Sequence, residues 1–316
     1  MVDHDGADNK RIDAPTGTET VGHEWDGIEE LNTPLPRWWL WTFYITIVWA
    51  IGYTVVYPAW PMVSNFTKGS FGWTSRGQYD EQMKLEAAKR APITDAIEKI
   101  PMADLPRNPQ LMAAAIEGGR AAFKVYCVQC HGSGAAGSKG FPNLNDDDWL
   151  WGGDLQTVHA TLVNGIRQPG NNDTRNSMMP AFGRDGILKP AEIQSLVAHV
   201  QAISHRGKDN AKGAALFAVN CAVCHGPEGK GNRQFGAPNL TDGIWLYGGD
   251  AETLTETITN ARAGVMPAWG QSLKPATVKM LAAYVHSLGG GEATPAPALV
   301  AEAAPASAEA GNNVQP

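Results

Sequence analysis

Cysteine is scarce in this chain of 316 residues, which contains only four. All four lie in two copies of one pentapeptide, and a histidine directly follows the second cysteine of each copy: Cys127, Cys130 and His131, then Cys221, Cys224 and His225. No cysteine is therefore left over for a separate disulfide framework. Basic residues are not in excess either, with 25 Lys and Arg against 32 Asp and Glu. This balance excludes a basic nucleic-acid-binding surface.

The Cys-x-x-Cys-His spacing predicts covalent attachment of c-type haem at both copies. Two thiols a short turn apart add to the two vinyl groups of one porphyrin, and the adjacent histidine then points its imidazole at the iron. The alternatives are a zinc site built from both pairs, or a redox disulfide within each pair. Zinc does not need a histidine after each second cysteine, and a thioredoxin-like disulfide needs a βαβ pattern that the sequence lacks. We therefore expect two covalently attached haem c groups and a chain that moves electrons.

The duplication extends well beyond the cysteines. Three further blocks recur in the same order, namely Pro-Asn-Leu, Trp-Leu-(Trp/Tyr)-Gly-Gly-Asp and Met-Pro-Ala-aromatic-Gly. Each copy closes with Leu-Lys-Pro-Ala and an apolar pattern of helical spacing, in which the proline suits the first turn. A second helix is expected before each Cys-x-x-Cys-His block. These residues resemble class I cytochrome c domains, so we expect an all-α fold with two tandem domains of this kind, at 109–206 and 207–290.

The repeated methionine block supplies a second axial ligand for each iron. Met266 has no rival nearby in its copy, whereas Met178 and Met179 compete in the other. The repeat favours Met179, because this residue directly precedes Pro-Ala-aromatic-Gly. A thioether is a soft ligand that raises the redox potential relative to a second histidine. We expect each domain to use its own methionine, and the expected iron ligands are His131, Met179, His225 and Met266.

Residues around the ligands carry weaker signals. The resemblance to cytochromes c implies that the carbonyl groups of Pro142 and Pro238 accept a hydrogen bond from the ligating histidines. Trp149 and Trp245 either pack near the haem and its propionates or belong to the ordinary core, and both interpretations stay open. The other histidines of the two copies are expected to be ordinary surface or core residues: His159, His199, His205 and His286.

An uncharged run of residues, 38–60, predicts a transmembrane anchor helix with tryptophan and tyrosine at both ends. A cleaved signal peptide is the alternative, but a long polar stretch precedes the run and no Ala-x-Ala site follows it. Four residues that can form hydrogen bonds share one face of this helix, which favours a partner in the membrane over threonines that bond to their own helix. These residues are Thr42, Thr46, Trp49 and Tyr53.

The orientation of the anchor involves a conflict. Arg37 precedes the span, whereas Lys68 and Arg76 follow it, so the charge bias weakly places the N-terminus outside. Haem c is attached outside the bacterial cytoplasmic membrane, however, and long domains cross largely regardless of charge. We therefore expect residues 1–37 in the cytoplasm and both haem domains in the periplasm.

Two other segments complete the predicted domain organisation. Residues 61–108 form a periplasmic linker with helical stretches, and its helix-prone part is expected to break near Pro92. The tail at 291–316 is rich in alanine and proline and is expected to be disordered.

The segments that flank the anchor resemble one family. These segments run from His23 to Asn32, from Pro34 to Trp39 and from Tyr57 to Pro61. They are similar to the dihaem cytochrome c subunit III (CcoP/FixP family) of bacterial cbb-type haem–copper cytochrome c oxidases, and the resemblance covers nearly the whole chain. It implies a single-pass subunit of the inner membrane that accepts electrons from a donor cytochrome c or the bc complex. The electrons then pass to the monohaem subunit and the haem–copper catalytic subunit, which reduces oxygen.

A single anchor helix cannot supply the histidines and the helix bundle of an oxygen-reducing site, so we expect a non-catalytic electron-transfer subunit. Three alternatives remain: a free-standing membrane-tethered dihaem shuttle, the cytochrome subunit of a periplasmic dehydrogenase, and a dihaem peroxidase. The peroxidase is the least favoured, because it needs an exchangeable iron site where both copies here offer a methionine.

Overall fold

The computed structural model describes residues 10–293. The described chain is mostly helical, as predicted, with one small hairpin of strands β1 (Thr20–Trp25) and β2 (Ile28–Leu31). Asp26 and Gly27 join these strands, with φ angles of 49° and 84°. Two successive positive φ angles are typical of the tight turn that suits an antiparallel hairpin, and Asp-Gly is a favoured pair there. The hairpin precedes the anchor and was not predicted.

Helix α1 (Arg37–Val56) is the anchor, and it ends four residues earlier than predicted. Tyr57 precedes Pro58 and adopts an extended backbone with φ −114° and ψ 159°, because a residue before proline is disfavoured in the helical region. None of the side chains of α1 is buried. Within residues 10–293 it is the one helix long and apolar enough to cross a membrane.

The threonines of α1 bond to their own helix. The hydroxyl of Thr42 donates to the Trp38 carbonyl at 2.9 Å, and that of Thr46 donates to the Phe43 carbonyl at 2.7 Å. The spacing of the polar face had favoured a partner in the membrane over this arrangement. A threonine hydroxyl bonded within its own helix does not need a partner helix.

Helix α2 (Ser75–Lys99) is continuous through Pro92, so the predicted break is wrong. Proline removes one intrahelical hydrogen bond, but Pro92 and Ala88, whose carbonyl loses its partner, are both exposed residues.

Each copy of the repeat forms the same succession of four helices. Those of the first copy are α3 (Pro109–Tyr126), α4 (Val128–His131), α5 (Leu155–Asn164) and α6 (Pro190–Ile203). Those of the second copy are α7 (Ala211–Asn220), α8 (Ala222–His225), α9 (Ala251–Asn260) and α10 (Pro275–His286). Short 3₁₀ turns occur at Leu105–Arg107 and Trp269–Gln271.

Local sequence explains where these helices begin. The repeated Gly-Gly-Asp block ends in the N-cap of α5 and α9, where Asp154 accepts from the backbone N–H of Thr157 and Asp250 from that of Thr253. The predicted proline at the first helical position is confirmed in α6 and α10.

The long helices do not pack within their own copies. Helix α10 packs against α3 and α5, whereas α6 packs against α7 and α9. Core 1 therefore combines Phe123, Leu155 and Leu162 with Leu281 and Val285 of the other copy. Core 2 combines residues of α6 with Phe217, Leu254 and Ile258. We expected two consecutive domains, at 109–206 and 207–290. The packing differs from this expectation, because the last helix of each copy packs in the core formed by the other copy.

Two glycines allow the helices to cross closely. A Cβ atom at Gly119 of α3 would overlap the carbonyl oxygen of Met280 in α10. A Cβ atom at Gly213 of α7 would likewise overlap the carbonyl oxygen of Ser195 in α6. Both crossings thus need a residue without a side chain, and the repeat supplies glycine at matched positions.

The start of the C-terminal tail is held against the helices. Both carboxylate oxygens of Glu292 accept hydrogen bonds from the Arg233 guanidinium, at 2.5 and 2.9 Å. Its backbone N–H donates to the Gly153 carbonyl at 3.0 Å. The expected disorder of 291–316 is therefore wrong for residues 291–293, and the rest of that segment lies outside the described residues.

Candidate haem sites

The two Cys-x-x-Cys-His blocks have the same local structure. Cys127 ends α3 and Cys221 ends α7, with φ angles of −113° and −114°, and a single helical turn then leads to the histidine. The four sulfurs are not joined in disulfides. Burial raises the pKa of Cys127 and of Cys221 to about 11, so both thiols are neutral. Within residues 10–293 no three His, Cys, Asp or Glu side chains converge as a metal site, so nothing favours the zinc alternative.

The two histidines are oriented by backbone carbonyls. Nδ1 of His131 lies 3.1 Å from the Pro142 carbonyl oxygen, and Nδ1 of His225 lies 3.0 Å from that of Pro238. Burial lowers the pKa of both histidines, which favours the neutral ring. A neutral ring that donates from Nδ1 keeps the lone pair of Nε2 for iron. The contacts of the two histidines with the carbonyls of Pro142 and Pro238, implied by the resemblance to cytochromes c, are thus confirmed.

The methionines lie in the cores opposite to those expected. Met266 packs against core 1, which contains Cys127 and Phe123. Met179 packs against core 2, and so does Cys221. Its neighbour Met178 is 63% exposed. The structure therefore favours Met179 over Met178, and it places each methionine with the cysteines of the other copy.

Backbone hydrogen bonds hold the methionine loops in these positions. Met266 and Ile166, just after α5, donate to each other's carbonyl oxygens at 2.9 and 3.0 Å. After Met179, the N–H of Phe182 donates to the Ile258 carbonyl at 3.1 Å, at the end of α9. Each methionine loop is thus docked on the other copy of the repeat.

The two tryptophans of the repeated Trp-Leu block differ. Nε1 of Trp149 donates to the Gly290 carbonyl at 2.6 Å, which favours an ordinary structural role. Nε1 of Trp245 is buried and has no acceptor within the described part of the protein. A buried N–H without an acceptor is costly, so this group calls for an acceptor that the protein does not provide. A haem propionate is such a group, and in this respect the residues of core 2 fit a haem.

Comparisons with known proteins agree with this site. The model of the N-terminal domain of cytochrome oxidase-cbb3, FixP, matches residues 17–64. The model of cytochrome c oxidase, cbb3-type, subunit III, matches residues 114–200 and 208–285. The chain belongs to this subunit III family.

Two curated members of the family illustrate the similarity. The cbb3-type cytochrome c oxidase subunit FixP of Bradyrhizobium sp. (strain ORS 278) is 54% identical over 290 residues, which cover 90% of this chain and 100% of the relative. The subunit CcoP of Cereibacter sphaeroides is 50% identical over 281 residues, which cover 88% of this chain and 97% of the relative. A subunit III of this family binds haem c and is anchored in a membrane, here by the apolar helix α1.

Two arginines of this subunit III that contact aromatic rings of the repeat were not predicted. The Arg175 guanidinium lies 5.0 Å from the centre of the Trp151 ring, and that of Arg262 lies 4.9 Å from the centre of the Tyr247 ring. Trp151 and Tyr247 occupy the same position of the repeated Trp-Leu-(Trp/Tyr) block. This repeated aromatic residue is the feature of the sequence that could have indicated the arginine contacts. Burial lowers the pKa of Arg175. Cations at these matched positions suit the negative propionates of a haem.

Two of the remaining histidines, His199 and His286, have partners within the protein. His199 is buried, and its Nδ1 lies 2.7 Å from a carboxylate oxygen of Asp209. Nε2 of His286 lies 2.8 Å from the Glu292 carbonyl oxygen. Because these ring nitrogens already have protein partners, the structure gives no reason to add either histidine to the iron ligands.

Proposed function

We propose that this chain carries two haem c groups and relays electrons from a donor cytochrome c or bc complex to the catalytic subunit of a cbb3-type oxidase. The single observation that supports it best is that both Cys-x-x-Cys-His blocks combine unpaired thiols, a histidine oriented through Nδ1 and a methionine in the same core. The proposed cofactor-binding residues are Cys127, Cys130, His131, Met179, Cys221, Cys224, His225 and Met266.

The ligands are exchanged between the copies in this proposal. His131 pairs with Met266 on the first haem, and His225 pairs with Met179 on the second. Bound haem supplies a one-electron couple, whose potential depends on axial ligands, hydrogen bonds and burial. The chain's own residues would hold such a group: burial favours neutral imidazoles at His131 and His225, one methionine packs against each core, and apolar side chains surround both sites.

Because each copy would supply a ligand to the other copy's haem, the two proposed sites share loops and are linked by hydrogen bonds. Besides the docked methionine loops, the N–H of Gly140 donates to the Leu246 carbonyl at 2.8 Å, and this bond links the loops that follow the two haem-binding blocks. Electron transfer requires cofactors that are close and held rigidly, and shared loops favour both conditions. Relay from one haem to the other within the chain follows from this arrangement.

The remaining parts of the proposal concern location and partners. Helix α1 is proposed as a single-pass anchor in the bacterial inner membrane, in contact with lipid, with the preceding hairpin in the cytoplasm and the haem-binding part in the periplasm. A periplasm-dependent reporter enzyme fused after Ala293 is expected to be active, and an inactive fusion would reverse this orientation. The partners are the haem–copper catalytic subunit and the monohaem cytochrome c subunit of the same oxidase.

Purification of the complex in mild detergent tests the central proposal. We expect two equivalents of haem c to stay on this chain after denaturation, with b-type haem and copper on co-purified subunits. One equivalent of haem c would contradict the two-site assignment. Purification of this chain without b-type haem or copper would instead support a free-standing shuttle.

The choice between neighbouring methionines is tested by substitution. Met179→Leu is expected to remove the sulfur–iron absorption band of one haem, because leucine has no ligand atom. Met178→Leu is the matched control and is expected to keep both bands, since its side chain is exposed. The opposite pattern would make Met178 the ligand.

A further inference from the structure

Arg167 has an unusual backbone at a point that connects the two copies. It follows Ile166, which pairs with Met266, and its own φ angle is 54°. A residue with a Cβ atom rarely adopts this left-handed conformation, which is sterically unfavourable. The Arg167 N–H donates to the Arg175 carbonyl at 2.7 Å and so holds the backbone there. Strain that is stabilised by surrounding contacts often marks a residue with a function.

The side chain of Arg167 contacts both methionine loops. Its Nε donates to the Gly264 carbonyl at 2.6 Å, and its Nη1 donates to the Ser177 carbonyl at 2.9 Å. Gly264 lies two residues before Met266, and Ser177 lies two residues before Met179. One guanidinium therefore holds equivalent points of the two loops.

The chemistry of the group suits this role. The Arg167 side chain is half-buried, and burial lowers its pKa, although the guanidinium stays charged at neutral pH. Hydrogen bonds from a charged donor are stronger than neutral ones. The planar guanidinium presents several N–H groups in a fixed geometry, whereas a lysine ammonium on its flexible chain does not. Arginine at this position can therefore bond two carbonyls on different loops at the same time, in a fixed geometry.

We infer that Arg167 is a positioning residue shared by both haem sites, which keeps the thioethers of Met179 and Met266 at their irons. The inference rests on the proposed function, in which these two methionines are ligands. Without the Arg167 guanidinium each loop loses one of the hydrogen bonds that hold it, so both thioethers become easier to displace. The side chain also couples the sites, because movement of one loop alters a bond that orients the other.

The test compares variants of the full oxidase complex in their binding of imidazole, which competes with methionine for ferric haem c. Arg167→Gly removes the side chain and suits the positive φ angle. We expect its imidazole affinity to rise about tenfold at both haem c groups, as loss of a charged hydrogen bond at each loop implies. Arg167→Lys keeps the charge and is expected to be intermediate. The sulfur–iron bands of both haems should weaken in parallel.

Arg184→Gln is the matched control. Its guanidinium donates to the Asn260 carbonyl at 3.2 Å and contacts neither Ser177 nor Gly264 in the hydrogen bonds described. It is expected to leave the imidazole affinity of the His131 haem unchanged. A change at one haem only in Arg167→Gly, or a lower melting temperature with unchanged imidazole affinity, would overturn the shared positioning role.

The wild-type spectrum separates this inference from the proposed function. If the wild-type complex shows no sulfur–iron band for haem c, the methionine assignment fails and the inference falls with it. If both bands are present and the Arg167 variants bind imidazole like the wild type, only the role of Arg167 is overturned.

Discussion

Met266 and Ile166 donate backbone hydrogen bonds to each other although they belong to different copies of the repeat. This bridge brings the loop of Met266 to the end of α5 and therefore to the core that contains Cys127. Met179 lies in the other core. The chain between the two methionines thus contains most of core 2, inserted within the sequence that forms core 1. Each core therefore combines residues of both copies, and so does each proposed haem site.

The exchange of ligands predicts which methionine serves which haem. In a Cys221→Ala, Cys224→Ala chain, which retains only the first attachment site, we expect half the haem c content. Met266→Leu in this background should abolish the remaining sulfur–iron band, because its thioether lies in core 1. Met179→Leu should leave that band unchanged. Ligation within each copy would give the reverse result, so the absorption spectra of the two variants decide between them.

The close crossing of α3 and α10 predicts a strong effect of a single methyl group. Gly119→Ala places a Cβ atom against the Met280 backbone, which cannot move without shifting α10. We expect a loss of about 2 kcal/mol in the free energy of unfolding, typical of overpacking. Thermal or urea unfolding of the haem-loaded protein measures this loss.

Gly118→Ala is the control for that experiment. Its Cβ atom would meet the Met280 sulfur, the movable end of a side chain, and alanine gains about 1 kcal/mol of helix propensity over glycine. A change of similar size in both variants would show that the crossing is not the cause.

Asp148 predicts a dependence of stability on pH. Burial raises the pKa of its carboxyl from 3.8 to about 6, and the charges of Asp242 and Asp146 act in the same direction. Because the folded pKa lies above the unfolded one, the folded state binds the proton more tightly, and ionisation between these values destabilises the fold. Asp148→Asn should therefore stabilise the protein by about 1 kcal/mol at neutral pH, a value reduced because the group is only partly buried.

The gain of the same variant should fall as the pH is lowered and vanish below about pH 3, where the carboxyl is protonated in both states. Unfolding at a series of pH values measures this difference, with Asp173→Asn, an exposed carboxyl that does not act on Asp148, as control. A gain for Asp148→Asn that persists in acid would contradict the electrostatic explanation.

The contacts of Glu292 predict a sharp limit for shortening the tail. A chain that ends at Gly290 loses the Arg233 ion pair and the backbone bond to Gly153. We expect this to lower the free energy of unfolding by about 1 to 2 kcal/mol, as for the loss of a charged hydrogen bond. A chain that ends at Ala293 keeps both contacts and should melt above the shorter one. Equal melting temperatures of the two truncated chains would mean that the ion pair contributes nothing.

Some errors of the sequence-based predictions have simple physical causes. A continuous helix through Pro92 is tolerated because that residue is exposed. Tyr57 leaves α1 early because it precedes a proline, a local effect that a count of uncharged residues ignores. The Asp26-Gly27 turn was detectable from the pair itself, but a polar segment before an anchor gives little reason to look for strands.

Local chemistry determined much of this protein from its sequence alone. Thiol spacing, the adjacent histidine, the uncharged run and the repeated caps act over a few residues, and each specifies a haem-binding block, an anchor or the start of a helix. Only the tertiary structure decided which copy completes which core. The two copies present nearly equivalent helix faces and matched glycines, so residue patterns fit pairing within or between copies equally well. The short connection between α6 and α7 and the docking of each methionine loop on the other copy select the exchanged arrangement.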